Sequence, residues 1–317
     1  MKYAKKAMLV TEEVSKAIIG KDECIAKIMT AILAGGHVLI EDIPGVGKTT
    51  LALSFAKAMS LAQKRVQFTP DVLPSDITGF SMYQKDLDQF VYHPGAVMCN
   101  LFLADEINRT SAKTQSALLE VMEEACVTVD GVTHEVPTPF MVIATENPVG
   151  LTGTQMLPES QLDRFMICVV MGYPEKEDEV VILQEQAQAR PLDAIHEVIT
   201  KEELVKMQKE VETIYVHKEI FDYIVELSRA TREHPMVELG LSTRGSLAVS
   251  YMVKAVAYMK EREYVVPDDV TEIFADVARH RLQLNSQAKA SHMSADDVIA
   301  QILNTVKKPR PEKKNEK

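Results

Sequence analysis

A chain of 317 residues with 46% hydrophobic residues is long enough for two domains of ordinary size and can bury a sizeable core, which excludes global disorder. Its 35 Lys and Arg against 46 Asp and Glu leave a net charge of −11, the opposite sign from a general polyanion binder, so nucleic acid is not the expected partner. Cys24, Cys99, Cys126 and Cys168 lack CxxC spacing and mostly sit beside apolar residues, which fits free thiols in a reducing compartment better than a metal or redox cluster. The first residues contain no apolar leader core, and no run approaches the roughly 18 apolar residues of a membrane span, so a cytoplasmic protein is expected.

Taken in order, residues 1–36 read as two helical pieces, with Val14, Ala17 and Ile18 and then Ile25, Ile28, Met29, Ile32 and Leu33 at three- and four-residue steps. Ile18, Ile19 and Gly20 break them. An apolar break ahead of a phosphate loop suits an adenine ring, and a plain turn between two packed helices suits the spacing equally well.

The apolar run His37 to Ile40 then leads into EDIPGVGKT (41–49) and a helical segment ending near Met59. Strand, glycine-bearing loop, Lys-Thr and helix is the order of a P-loop. Gly45 and Gly47 allow Asp42, Ile43, Pro44, Gly45, Val46 and Gly47 to fold with successive N–H groups turned inward as an anion nest, which the helix start reinforces with its positive dipole end. Lys48 is placed to reach the β- and γ-phosphates of ATP, Thr49 to ligate Mg²⁺, and Thr50 to continue the helix against the nucleotide. Asp42 stands where the usual pattern has its first glycine.

A short strand is expected over 65–69, a turn-rich stretch over 70–79, and a small hairpin or loop over 80–95. The run Leu101 to Ala104 reads as a buried strand that ends in Asp105 and Glu106, where parallel sheets bind ligands. With the loop upstream, Asp105 is assigned to Mg²⁺ through water and Glu106 to polarising the attacking water. Residues 111–125 form an amphipathic helix, and 127–133 alternate around Asp130 and Gly131 as a hairpin.

A further buried strand, 140–145, ends in Glu146, Asn147 and Pro148. Asn147 is a candidate for the γ-phosphate or the lytic water; the alternative is an Asn-Pro turn. Because strand side chains alternate, Glu146 is expected to point away from any nucleotide that Asn147 faces. LPESQLDRF (157–165) leads into a last strand, 166–170, with Arg164 at the junction either as half of a surface ion pair or as an arginine finger into a neighbouring subunit.

Beyond Gly172 the strand signals stop, and 175–188, 201–213, 217–231, 244–262 and 268–282 read as helices, with starts marked by Thr200 with Glu203 and by Pro267 with Asp268 and Asp269. Arg244 lies in the first turn of one of them, a poor place for a cation beside the helix dipole, which favours an external anion as its partner. The last eleven residues, 307–317, carry six Lys or Arg against two Glu and read as a disordered basic tail.

EDIPGVGKT, FTPDVLPSDITG (68–79), LFLADEINR (101–109), KTQSALLEVMEE (113–124), ATENP (144–148), LPESQLDRF, GYP (172–174), GLSTRG (240–245) and YVVPDDV (264–270) together resemble the MoxR-type AAA+ ATPases, from about residue 14 to 285. The resemblance implies an α/β fold: an ASCE P-loop NTPase core over 1–175, with a five-stranded parallel sheet of order 5-1-4-3-2, and a C-terminal helical lid over 176–306. It implies that Asn147 is sensor 1, Arg164 an arginine finger in trans, and Arg244 sensor 2. It implies that 80–95 and 126–136 are hairpins facing a pore. The activity implied is ATP hydrolysis in a homo-oligomeric ring, a hexamer, that remodels a protein client such as a von Willebrand factor A (VWA) domain protein or a metal enzyme. The chain departs from the family pattern at Asp42, at Glu146 where Gln is more usual, and at Thr243-Arg244-Gly245 where Pro-Arg-Ala is. A nucleic-acid motor and a nucleotide-gated scaffold with little turnover remain the other readings.

Overall fold

The computed structural model describes residues 2–43, 45–147, 157–186 and 190–309. Pro44, Pro148 and residues 310–317 of the expected tail fall outside them. By packing, the chain divides between Lys209 and Glu210 into two units. The change from mixed to all-helical composition near residue 175 therefore comes before the packing division, and the helices Lys176–Gln186 and most of Lys201–Glu212 belong to the first unit.

The first unit is built on β1 (Val38–Glu41), β2 (Gln63–Gln67), β3 (Leu101–Asp105), β4 (Met141–Glu146) and β5 (Ile167–Val169). All are parallel, in the order β5-β1-β4-β3-β2, as the resemblance implies. The inner strands are unbroken apolar runs because both faces are covered: every residue of β3 and β4 is buried. The edge strand β2, QKRVQ, is largely exposed. It begins two residues earlier than Val66 and Phe68 led the sequence reading to place it, because an edge strand tolerates Gln63 and Lys64.

Helices α1 (Ala4–Ser15), α2 (Asp22–Leu33), α3 (Lys48–Ala58) and α4 (Ala112–Glu124) pack around this sheet, α1 against α2 and α3. One core gathers Leu39, Phe102, Ala104, Leu118, Val142, Phe165 and Cys168. His37, at the foot of β1, is wholly buried: its Nε2 donates to the Met122 carbonyl and its Nδ1 accepts from the Val142 amide, each at 3.0 Å. Burial pushes the ring's pKa down, so it serves as a neutral connector between α4, β1 and β4.

Two hairpins stand outside the sheet, 79–94 and 126–135. The second turns through Asp130 and Gly131, both at positive φ, as the Asp-Gly signal predicts. Tyr92 of the first stacks on His134 of the second with ring centroids 3.8 Å apart.

The second unit is helical. Its main members are Lys218–Glu233, Thr243–Met259, Pro267–Ala278 and Ala295–Thr305, with a two-stranded ribbon of Val237–Leu239 and Gln283–Leu284. Tyr223, Met252, Tyr258 and Phe274 fill its interior. The sequence reading places 283–306 in the helical lid but names no helix there, although Ser294 and Asp297 form a capping box ahead of the last helix.

No helix among the described residues is long and apolar enough to cross a membrane. None of the four cysteines forms a disulfide, and Cys24, Cys99 and Cys168 are buried.

Candidate active site

The site begins where β1 runs into α3. Gly45 and Gly47 take φ of 88° and 91°, a left-handed backbone that side chains rarely adopt, and this turns the loop so that α3 starts at Lys48. A Cβ placed on Gly45 would meet nothing within 4 Å, so open space lies over that part of the loop. Ile43, Val46 and Thr50 follow the same path, with Val46 and Thr50 lining the pocket described below.

Asp42 does not face that space. One carboxylate oxygen accepts from the amides of Met171 and Gly172, each at 2.6 Å, and the other from the Ile43 amide at 2.7 Å. The residue that replaces the first glycine of the pattern thus ties the loop to the chain leaving β5.

Lys48 is buried. Its ammonium donates to the Asp42 carbonyl at 2.6 Å and to Asn147 Oδ1 at 2.8 Å. Burial lowers its pKa, against the opposing pull of Asp42, Asp105, Glu106 and Glu146.

At the tip of β3, Thr49 Oγ1 donates to Asp105 Oδ2 at 3.2 Å. Burial works to raise the Asp105 pKa, yet hydrogen bonds from Thr145, Arg65 and Thr49 and the Arg65 charge bring it below its ordinary value, so the carboxylate is an anion. An alcohol and a carboxylate on one point are hard oxygen donors of the kind Mg²⁺ takes, and Thr49 and Asp105 fit that ion.

Glu106 leaves β3 with φ 56°, in the left-handed region. Its Oε1 accepts from Asn147 Nδ2 at 3.0 Å; its Oε2 accepts from Gln67 Nε2 at 2.8 Å and Arg109 Nη1 at 2.6 Å. Asn147 therefore bridges Lys48 and Glu106. Thr145, two residues earlier on the same face, accepts from the Glu106 amide at 2.9 Å and donates to Asp105 Oδ1 at 2.7 Å.

Glu146 is the last residue of β4 and lies close enough to Lys48 for the two charges to act on each other. It sits in register beside Glu41 on the neighbouring strand. It is 3% exposed, with one carboxylate oxygen unpartnered. Burial, aided by the Glu41 charge and opposed by Lys48, pushes its pKa up to about 7.

Beside the loop, Ile18, Ile19, Val46, Tyr173, Ile182 and Leu183 line a pocket of about 280 Å³ together with Gly45, Gly47 and Thr50. Gly20 makes the break that shapes it: at φ 73° its Cβ would lie 2.0 Å from Asp178. Of the two readings left open for Ile18 to Gly20, the structure places the break against the phosphate loop.

Arg164 lies apart from this cluster in its partners: its guanidinium pairs with Glu123 at 3.2 Å and its Nε has no partner. Arg244 belongs to the second unit, in the first turn of a helix capped by Ser242.

Arg65, Gln67, Arg109 and Thr145 were missed by the sequence reading. Arg109 is three beyond Glu106, a spacing that was available as a signal, whereas Arg65 and Gln67 on the exposed β2 had none.

Comparison with known proteins agrees with this geometry. Residues 37–167 match the model of the ATPase family associated with various cellular activities, and 229–302 match that of the AAA lid domain. The chain is 45% identical to the uncharacterized protein YeaC of Bacillus subtilis, covering 94% of this chain and 93% of that one. It is 38% identical to chaperone MoxR1 of Mycobacterium tuberculosis, covering 94% and 81%. A crystal structure of a protein from Cytophaga hutchinsonii superposes with a TM-score of 0.90 at 36% identity, covering 98% of this chain and 96% of the other. The chain belongs to the MoxR-type AAA+ ATPases, with an α/β core and a C-terminal helical lid.

Proposed function

We propose that the protein binds ATP with Mg²⁺ on residues 42–49, hydrolyses it with Glu106 as general base, and works as a ring, a hexamer, that remodels or activates a protein client in the cytoplasm. The observation that carries this is the convergence of Lys48, Thr49, Asp105, Glu106 and Asn147 on one loop, through bonds of 2.8 to 3.2 Å. Lys48 and the loop amides hold the phosphates; the apolar pocket at Ile18 and Ile19 takes the base. Thr49, and Asp105 through water, would hold Mg²⁺, which would neutralise phosphate charge when bound. Asn147 aims the Glu106 carboxylate by holding Oε1, and Glu106 takes a proton from water. Arg164 and Arg244 supply the remaining cations, Arg164 in trans. The two hairpins face the client, and the name of the Mycobacterium tuberculosis relative supports chaperone work. A VWA domain protein or a metal enzyme as client rests on the family resemblance.

Glu106→Gln tests the reading. It is expected to keep ATP binding and to slow turnover roughly 10²- to 10⁴-fold, the usual contribution of a general base. Turnover equal to the wild type would remove Glu106 from the reaction. The same variant, purified with ATP, is the bait for identifying the client.

A further inference from the structure

The oxygen of Asp105 that Thr49 faces, Oδ2, is fully taken by the chain's own donors. Thr145 Oγ1 donates to Oδ1 at 2.7 Å. Oδ2 receives Thr49 Oγ1 at 3.2 Å, Arg65 Nη2 at 2.6 Å and Arg65 Nε at 3.1 Å. A carboxylate oxygen has two lone pairs, so Oδ2 is saturated. A Mg²⁺ ion beside Thr49 would use Oδ2, directly or through a bound water, only if a donor on that oxygen withdraws. Two cations contend for one carboxylate oxygen, and they do so at close range in a half-buried site.

Arg65 is the donor able to leave. It lies on the edge strand β2, its side chain is 46% exposed, and it ends in a long flexible stem, whereas the Asp105 side chain is 9% exposed and Thr49 is fixed in α3. Its withdrawal has a second effect. Arg65 Nη2 also donates to Gln67 Oε1 at 3.2 Å, and Gln67 Nε2 donates to Glu106 Oε2 at 2.8 Å. Asp105, Arg65, Gln67 and Glu106 form one unbroken chain of hydrogen bonds.

We infer that Arg65 is a positioning residue that holds the metal-facing oxygen of Asp105 until Mg²⁺ displaces it, and that through Gln67 it links metal loading to the aim of Glu106. This rests on the assignment of Thr49 and Asp105 to Mg²⁺. A guanidinium with two bonds to the same oxygen lowers the net gain from metal binding, so the site loads only when nucleotide phosphates add their own charge. Gln67 Oε1 loses its fixed donor when Arg65 leaves, and the amide is then free to turn with Glu106.

The test is a Mg²⁺ titration of fluorescent ADP binding to the full chain, for wild type, Arg65→Gln and Arg65→Lys, with steady-state turnover measured alongside. For Arg65→Gln the Mg²⁺ midpoint is expected to fall three- to tenfold, on the order of what a charge-assisted pair at a partly exposed site contributes. Arg65→Lys keeps the charge without the fork and is expected to shift the midpoint in the same direction by less; it serves as the readout if Arg65→Gln does not fold. Turnover at saturating Mg²⁺ is expected to fall in both, and Gln67→Leu to lower turnover with its midpoint at the wild-type value. A purely structural Arg65 would change the thermal midpoint and leave the Mg²⁺ midpoint in place, which overturns the inference; so does a midpoint that rises. Wild-type ADP binding that ignores Mg²⁺ altogether would instead overturn the metal assignment beneath it.

Discussion

The Lys48 ammonium and Asn147 Oδ1 lie 2.8 Å apart, and the amide on the other side of Asn147 holds Glu106 Oε1 at 3.0 Å. One side chain thus spans Lys48 and Glu106, the cation and the carboxylate proposed as phosphate anchor and general base. The two variants should separate. Lys48→Ala is expected to abolish measurable ATP binding. Asn147→Ala is expected to bind ATP within a fewfold of wild type and to turn over roughly 10- to 100-fold slower, since it removes aim and not charge. Isothermal titration with ATP and a phosphate-release assay check both; equal losses of affinity in the two variants would break the assignment.

Arg164 in one chain is paired with Glu123 at 3.2 Å, and a role in a neighbouring subunit requires it to exchange that partner for phosphate. Arg164→Ala is expected to cost about 10³-fold in turnover, with ATP affinity of the isolated subunit nearly intact. Mixed with Glu106→Gln subunits, it should recover activity at interfaces that combine a sound Glu106 with a sound Arg164. Mixtures as inactive as either parent would place the finger elsewhere.

Glu146 gives a pH dependence of known sign. Its pKa is raised to about 7 in the folded chain, by burial first and by Glu41 second. Between the ordinary glutamate range and about 7 the folded state holds a proton that the unfolded state has released, so stability falls as pH rises through that window and is level above it. Glu146→Gln lacks this dependence. Its advantage over wild type should grow across the window, to about 3 kcal/mol at most. Urea unfolding of both proteins at a series of pH values measures the difference; one that does not vary with pH would mean Glu146 is ionised throughout.

Gly245 lies in the first turn of the helix Thr243–Met259. In a helix, Gly→Ala is ordinarily stabilising by roughly 1 kcal/mol. Here a Cβ would come within 2.5 Å of the buried Leu241 side chain and 3.1 Å of Arg281 Cδ. Overpacking of that kind costs about 1–3 kcal/mol, so Gly245→Ala is expected to lower the melting temperature. A rise would show that Leu241 repacks freely.

Much of the core could be read from the chain because buried parallel strands leave apolar runs, and β1, β3 and β4 carry them. Lys48, Thr49, Asp105 and Glu106 could be picked out as candidates because phosphate and Mg²⁺ chemistry calls for those types after a glycine loop and at a strand end, and the structure brings Thr49 against Asp105. Arg65 and Gln67 could not, because β2 is an exposed edge whose polar residues look like any solvated surface; only the partner strand shows that they reach Asp105 and Glu106. Asp42 was taken for part of the phosphate nest, and its carboxylate is engaged with Met171 and Gly172, residues about 130 positions away that no local pattern connects to it. The boundary of the helical part was legible as a change in composition, whereas its packing limit at Lys209 depends on contacts such as the Ala58 carbonyl with the amides of Val198 and Ile199.

The Asp42 carboxylate has a mechanical result. A glycine at that position would leave the first turn of the loop attached to β1 alone. With three amides gathered on its two oxygens, the loop and the exit of the fifth strand behave as one lever, and the chain that continues from Gly172 is the thread that ends in the helical region. Any displacement of the loop at Asp42 is therefore carried, through those amides, to the first residues past the sheet.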